Sequence, residues 1–312
     1  MPAAHPGSEH AADGIATSRP PGHGTHVGLV GLGLVGTALG TRLARAGFTV
    51  LGHDSREEAR AQWRGAGGEV GTSLRALGAT CECVVLAVFD TAGVLEVIEG
   101  PGGLLEGGAT RAVVDCSTGD PEALQALAAR LATRGVTLVE APLSGSSQQI
   151  AEGAATMLLG GEATALRDLA AVLEALSPRR IHVGGAGMGA RAKLATNLVL
   201  GLNRAVLAEG LVYAERLGIA PATFLELVLA TPARSDAALA KGARMVQGDF
   251  APQSRIHQHL KDVRLMLAGA EAAGQRLPLT ETHAALLQAA VASGDGDLDN
   301  AAIVRQLRRE VR

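Results

Sequence analysis

Aromatic residues are scarce: the chain has four Phe, one Trp and one Tyr among 312 residues. Modules that bind nucleic acid by stacking bases need aromatic platforms beside a basic surface, and a net charge of -3 supplies no such surface. Nucleic acid is not an expected partner. Cysteine is rarer still. Cys81, Cys83 and Cys116 form an odd set whose only close pair is a C-x-C, with no second pair or histidine cluster to complete a zinc site. A chain this long buries enough surface to need no disulfide staples, so a reduced, cytoplasmic setting is expected. Long hydrophobic runs are missing too. The most apolar stretch, Leu194 to Tyr213, is interrupted by Asn197, Asn203, Arg204 and Glu209, and no membrane span is expected. Residues 1–25 lack the apolar core of a secretory signal and read as a flexible tail.

Glycine, by contrast, is abundant: 41 residues, about one in eight, against a usual level of about 7%. The length argues for two domains, and 47% apolar with 19% charged residues is a globular composition. The run His26 to Val30 ends directly in Gly31-Leu32-Gly33-Leu34-Val35-Gly36, and a helical pattern follows to Arg45. A second apolar run, Phe48 to Leu51, leads to Asp54 and a charged helix from Arg56 to about Gly65. This is one βαβ unit. Further strands are expected at Cys83 to Val88, Ala112 to Cys116, Thr137 to Ala141, Thr156 to Leu159 and Arg180 to Val183, with helices at Pro121 to Arg134 and Ala163 to Leu176. From Gly189 to Leu217 one 3.6-residue period continues, and helices at Pro221 to Leu229, Ser235 to Val246, His257 to Ala273, Thr280 to Ala292 and Asn300 to Glu310 complete the chain. The expected fold is α/β: a Rossmann-type, doubly wound domain over 26–186, then an all-α substrate and dimerisation domain over 187–312, joined by the long bridging helix.

Alone, G-x-G-x-x-G is a weak signal in so glycine-rich a chain; between a strand and a helix it is strong. Gly31 permits the tight turn, Gly33 lets backbone approach a pyrophosphate, and Gly36 allows close helix packing. The helix N-terminus offers free N–H groups to phosphates. Asp54 stands 18 residues beyond Gly36, where a carboxylate accepts from ribose hydroxyls and repels a 2′-phosphate. NAD is therefore the expected cofactor. Arg56, two residues on, keeps NADP as the alternative.

Two other clusters carry chemistry. Glu140-Ala141-Pro142-Leu143-Ser144-Gly145-Ser146-Ser147 follows a strand, where open α/β sheets place ligand loops; its N–H groups and hydroxyls suit a carboxylate, although the same residues would also make an ordinary polar turn. Lys193 and Asn197 are four residues apart on one face of the bridging helix, in a segment almost free of charge near the domain junction. A lysine whose pKa burial lowers towards neutrality can act as general acid or base.

With Asp115-Cys116-Ser117-Thr118 before Pro121, Gly153, and a late Lys261-Asp262, these ordered motifs resemble those of the β-hydroxyacid dehydrogenases, relatives of 3-hydroxyisobutyrate dehydrogenase and tartronate semialdehyde reductase. The resemblance runs from His26 to the C-terminus. It implies hydride transfer between a nicotinamide and C3 of a small 3-hydroxy acid or its semialdehyde. Lys193 would be the catalytic general base or proton donor, and Asn197 would orient the reacting oxygen. Ser144, Gly145 and Ser146 would hold the substrate carboxylate. Gly31 to Gly36, Asp54, Val88, Ser117 and Lys261 would line the cofactor. A homodimer is expected by the same analogy. Departures are Ser146 where the family has Gly, Ile150 where it has Ala, Thr196 where it has Asn, and Val35 where it has Met; Ile150, Ser146 and Ser147 are expected to alter the pocket.

Other features read more plainly. His257 and His259 are taken as exposed helix histidines rather than metal ligands, since no third ligand is evident. Cys81 and Cys83 are taken as small core residues on one strand face. Arg305 to Arg312 is read as a charged helix end. The rival readings are an imine reductase on the same scaffold, whose relatives typically lack the lysine, a 6-phosphogluconate dehydrogenase-like decarboxylase, for which no phosphate-binding cluster is evident, and a non-catalytic NAD(P)-binding homologue.

Overall fold

A computed structural model describes residues 25–310; the flexible tail expected at 1–25 lies outside them apart from Thr25. The strands are β1 (His26–Val30), β2 (Thr49–His53), β3 (Glu69–Val70), β4 (Cys83–Leu86), β5 (Ala112–Asp115), β6 (Thr137–Glu140), β7 (Leu143–Ser144), β8 (Thr156–Gly160) and β9 (Arg179–Gly184). Six of them pair in parallel in the order β3-β2-β1-β4-β5-β6, and the sheet reverses at β6–β8, where pairing becomes antiparallel. That order places a topological switch point between β1 and β4, where doubly wound sheets bind their ligands. The central strands are apolar on both faces, as parallel strands covered by helices must be: Val84, Val85, Leu86, Val113 and Val114 are fully buried.

After Gly184 the described residues form helices, with one isolated bridge between Arg255 and Asp299. The bridging helix Met188–Arg216 runs 29 residues and packs on β8 and β9 at its start and on the later helices beyond. Three apolar cores result. One covers one face of the sheet and joins Leu29, Leu39, Val85, Val139 and Met157; a second, on the other face, joins Val30, Val84, Leu86, Val113 and Leu127; the third, among the helices, joins Leu207, Leu211, Met245, Val263, Leu287 and Ile303. Among the described residues no helix is long and apolar enough to cross a membrane.

Several expectations are corrected. Ala163 to Leu176 is two helices, Ala163–Asp168 and Ala170–Leu176, broken at Leu169. Cys81 is not on a strand; it ends the short helix Leu74–Thr80, and only Cys83 lies in β4. His259 is not exposed: it is buried with its ring 5.1 Å from that of His283. Ile150 does not line a pocket. Its helix, Ser147–Ala151, lies on the first helix, Leu34–Arg45, and its side chain is buried in the core beneath. The final helix begins as a 3₁₀ turn, Asn300–Ala302, before Ile303–Arg309. Its arginines are tied down: Arg305 and Arg309 pair with Asp295, and Arg308 with Glu215.

Candidate active site

The glycine loop is shaped by contacts no larger residue could make. Gly31 has φ +93°, and a Cβ there would lie 2.3 Å from the carbonyl oxygen of Ala87. At Gly36 a Cβ would lie 1.7 Å from the carbonyl oxygen of Gly31, so the helix can start only because this residue has none. Gly33 differs: the nearest atom to a Cβ would be Arg56 Nη2 at 3.9 Å, leaving its backbone open to a ligand. No side chain caps the helix that follows, so its first N–H groups are available to an anion. Asp54, at the end of β2, accepts from the backbone N–H of Leu32 at 2.8 Å through Oδ2. Its carboxylate also accepts from the Arg56 backbone N–H at 2.9 Å and from the guanidinium at 3.1 and 3.2 Å. Burial would raise the Asp54 pKa, but these hydrogen bonds outweigh it and hold it below the usual carboxylate value. A glycine cradle, an uncapped helix start and an ionised carboxylate beside them fit a dinucleotide.

On the opposite side of the switch point, Ser117 Oγ accepts from the Val88 N–H at 3.1 Å, and Asp115 fixes the turn by accepting from the Ser117 N–H at 2.9 Å. Val88 and Ser117, both expected to line the cofactor, are thus neighbours. Lys261 reaches across from the helical domain. Its ammonium donates to the carbonyl of Thr118, lies 3.0 Å from Asp262 and stands 5.7 Å above the Phe89 ring.

Lys193 is buried, 7% exposed, and donates to the Leu143 carbonyl at 2.6 Å and to Asn197 Oδ1 at 3.0 Å. Asn197 in turn donates through Nδ2 to Asp262 Oδ2 at 2.9 Å. Burial pulls the Lys193 pKa down to about 8; Asp262 opposes the shift while Arg204 and Lys261 add to it. The ammonium and neutral amine are therefore both accessible near neutral pH, the condition a proton-transfer group needs.

The carboxylate of Glu140, at the end of β6, accepts from the backbone N–H groups of Gly187 and Ala190, the latter at 2.7 Å. A buried carboxylate thereby caps the bridging helix and complements its dipole. Ser144 closes β7, and Gly145 packs so tightly that a Cβ would lie 2.7 Å from the Ala155 methyl. Ser146 is already engaged. Its hydroxyl accepts from the Gln149 N–H at 3.2 Å and Gln149 Oε1 accepts from its N–H at 2.8 Å, a reciprocal capping box. Ser147 Oγ and Gln148 instead face Gln253 of the helical domain, at 3.5 and 3.3 Å.

Sequence reasoning missed two residues of this site. Asp262 was visible only as the partner of Lys261 in a motif, and its bond to Asn197 is a matter of tertiary placement. Arg204 was visible as a lone arginine in the most apolar run; it is 7% exposed and remains a cation, with burial pulling its pKa to about 10. No group of three metal-ligating side chains occurs among the described residues.

Fold and site together define a two-domain NAD(P)-dependent oxidoreductase with a lysine at its domain junction. Residues 26–185 match the family model described as the NAD binding domain of 6-phosphogluconate dehydrogenase, and residues 187–307 the one described as NAD-binding of NADP-dependent 3-hydroxyisobutyrate dehydrogenase. The chain belongs to the β-hydroxyacid dehydrogenase family. Its relatives include 2-(hydroxymethyl)glutarate dehydrogenase of Eubacterium barkeri, 29% identical over 89% of this chain and 93% of that one. Another is the probable 3-hydroxyisobutyrate dehydrogenase-like 2, mitochondrial, of Arabidopsis thaliana, 31% identical over 91% and 94%. The crystal structure of 3-hydroxyisobutyrate dehydrogenase from Salmonella typhimurium superposes with a TM-score of 0.81 at 27% identity, covering 90% of this chain and 99% of that one.

Proposed function

We propose that the protein interconverts a small 3-hydroxy acid and its semialdehyde, with residues 26–186 holding the cofactor and 187–312 completing the substrate site. The observation that carries this reading is the buried Lys193, fixed by Leu143 and Asn197, with burial pulling its pKa down to about 8. When bound, the nicotinamide supplies the hydride acceptor or donor. In oxidation the neutral Lys193 amine takes the hydroxyl proton as the hydride leaves the carbinol carbon; in reduction its ammonium returns a proton to the carbonyl oxygen and stabilises the negative charge developing there. Asn197 orients that oxygen. The Ser144–Gly145 loop, adjoining the Leu143 carbonyl that holds Lys193, receives the substrate carboxylate. Val88 and Ser117 border the nicotinamide, and Lys261 closes the cleft over it by its bond to Thr118.

Asp54 favours NAD, because a 2′-phosphate would meet an ionised carboxylate; Arg56 is the group through which NADP would gain. The retained lysine speaks against an imine reductase and against a homologue that binds cofactor without turnover. Three free cysteines suit a reducing, cytoplasmic setting, and a homodimer would cover the apolar outer face of the bridging helix. The test is absorbance at 340 nm with NAD or NADP over a panel of 3-hydroxy acids and the corresponding semialdehydes. Turnover with NAD preferred supports the reading; cofactor binding without turnover of any compound overturns it.

A further inference from the structure

The bridging helix carries Lys193, Asn197, Leu200 and Arg204 in an i, i+4, i+7, i+11 stripe, the spacing that aligns side chains along one face. Lys193, Asn197 and Arg204 are buried, whereas Leu200, between the amide and the guanidinium, is only half-buried and leaves that part of the stripe partly open. Lys193 and Arg204 are about 16 Å apart along the axis at 1.5 Å per residue. The lysine reaches towards Asn197, and an arginine on a helix leans back towards the N-terminus, so the two cations approach each other over Leu200.

Arg204 forms no hydrogen bond or ion pair among the described residues, although it is more than nine-tenths buried. The acids around it are already taken. Asp299, fully buried, accepts from Lys241 at 2.9 Å and from the backbone N–H groups of Gln253, Ser254 and Ala301, and pairs with Arg244 at 3.4 Å. Asp262 is shared between Lys261 and Asn197. The cluster thus holds five cations, Lys193, Arg204, Lys241, Arg244 and Lys261, against three carboxylates, Asp299, Asp262 and Asp249, the last of which pairs with Arg244 at 3.1 Å. No acid is left to bond the Arg204 guanidinium, whose nitrogens keep some access to solvent although the residue is largely buried; an anion that joins it gains from its charge, and its planar fork matches a carboxylate. His259 Nε2, packed beside the stripe against Gly201, is a buried polar atom with no partner.

We propose that Arg204 is a second anion subsite, and that the substrate is a 3-hydroxy acid bearing another carboxylate two or three carbons from the first. The proposal rests on the hydroxy-acid reading above and assigns the specificity of that site. One carboxylate lies at the Ser144–Gly145 loop, the hydroxyl at Lys193 and Asn197, and the distal carboxylate passes over Leu200 to Arg204.

Calorimetric titration with glutarate and butyrate, two inert acids of similar length, tests the subsite without turnover. Glutarate is expected to bind the wild type at least 10-fold more tightly than butyrate, and Arg204→Met to bring the ratio close to one, the scale of a lost hydrogen bond to a charged group. Arg204→Lys, which keeps the charge without the fork, is expected to retain part of the preference. Met fills the volume without a charge, so an unchanged or raised Tm will accompany the loss. In turnover, the kcat/KM ratio of 2-(hydroxymethyl)succinate or 2-(hydroxymethyl)glutarate to 3-hydroxyisobutyrate is expected to fall about 10- to 100-fold in Arg204→Met, mainly through KM. Equal binding of glutarate and butyrate by the wild type, or a ratio that the Met variant leaves intact, overturns the subsite even if hydroxy acids are turned over. No turnover of any hydroxy acid, with the glutarate preference present and lost in Arg204→Met, leaves the subsite standing and removes the hydroxy-acid reading.

Discussion

Asn197 faces Lys193 with its carbonyl oxygen, at 3.0 Å, and this fixes the whole amide. An ammonium can only donate, so Nδ2 must point the other way, to Asp262 at 2.9 Å. The relay Asp262–Asn197–Lys193 holds one lysine hydrogen in a known direction and leaves the others to the Leu143 carbonyl and the substrate oxygen. Lys193→Met is expected to lower kcat by on the order of 100-fold or more, the scale of general acid–base groups, while NAD affinity in a fluorescence titration stays close to wild type. Undiminished turnover removes Lys193 from the chemistry.

The pH profile follows from the same residue. Oxidation needs the neutral amine, so its kcat/KM is expected to rise with pH through a midpoint of about 8 and level off above it, while aldehyde reduction declines over the same range. The Asp262 carboxylate raises the Lys193 pKa, so Asp262→Asn is expected to move both midpoints to lower pH. A midpoint that stays in place would assign the profile to another group. Stability has its own sign: the folded pKa lies below the ordinary value of 10.5, the native state binds fewer protons between the two, and Lys193 therefore makes folding more favourable as pH rises across that window.

Cofactor choice is expected to turn on Asp54. Asp54→Asn removes the charge that faces a 2′-phosphate and weakens the hold on Leu32 and Arg56. The NAD-to-NADP ratio of kcat/KM should fall on the order of 10-fold, as for loss of a charged hydrogen bond. An unaltered ratio would place the discrimination elsewhere.

Much of this was legible beforehand because it is local. The glycine turn, Asp54 at its spacing and the 3.6-residue period of the bridging helix are properties of short windows. The helices Leu74–Thr80 and Thr91–Glu99 escaped because they are short and carry no long apolar period; each is set by a polar cap, Ser73 and Asp90, and by packing on the sheet. Strands β3 and β7 are two residues each, too short for an alternation to register. In the site, Lys193 and Asn197 could be paired by helix spacing, whereas Asp262 joins them across 65 residues. Ile150 and His259 were misplaced for a shared reason: neither a position matched to a family nor the ordinary exposure of a helix histidine tells which face the rest of the protein covers.

Val199, Val206 and Tyr213 repeat every seven residues on the bridging helix and are 58%, 66% and 65% exposed. Such a stripe suits a second copy. Light scattering is expected to give twice the chain mass, and Val206→Asp to shift it towards one; a wild-type monomer would end the dimer reading.

Glu140→Gln should destabilise the protein by about 1–3 kcal/mol in urea denaturation, since one of the two helix N–H groups would face an amide NH₂ in place of a carboxylate oxygen. Equal stability would make the cap dispensable.

That cap also decides what moves with what. Glu140 ties the first turn of the bridging helix to the end of β6, and Leu143 ties Lys193 itself to β7. The proton-transfer group is thus held from both halves at once, by the Leu143 carbonyl on one side and, through Asn197, by Asp262 on the other. Any parting of the two halves has to break one of these bonds, so the aim of the lysine is itself a gauge of whether the cleft is closed.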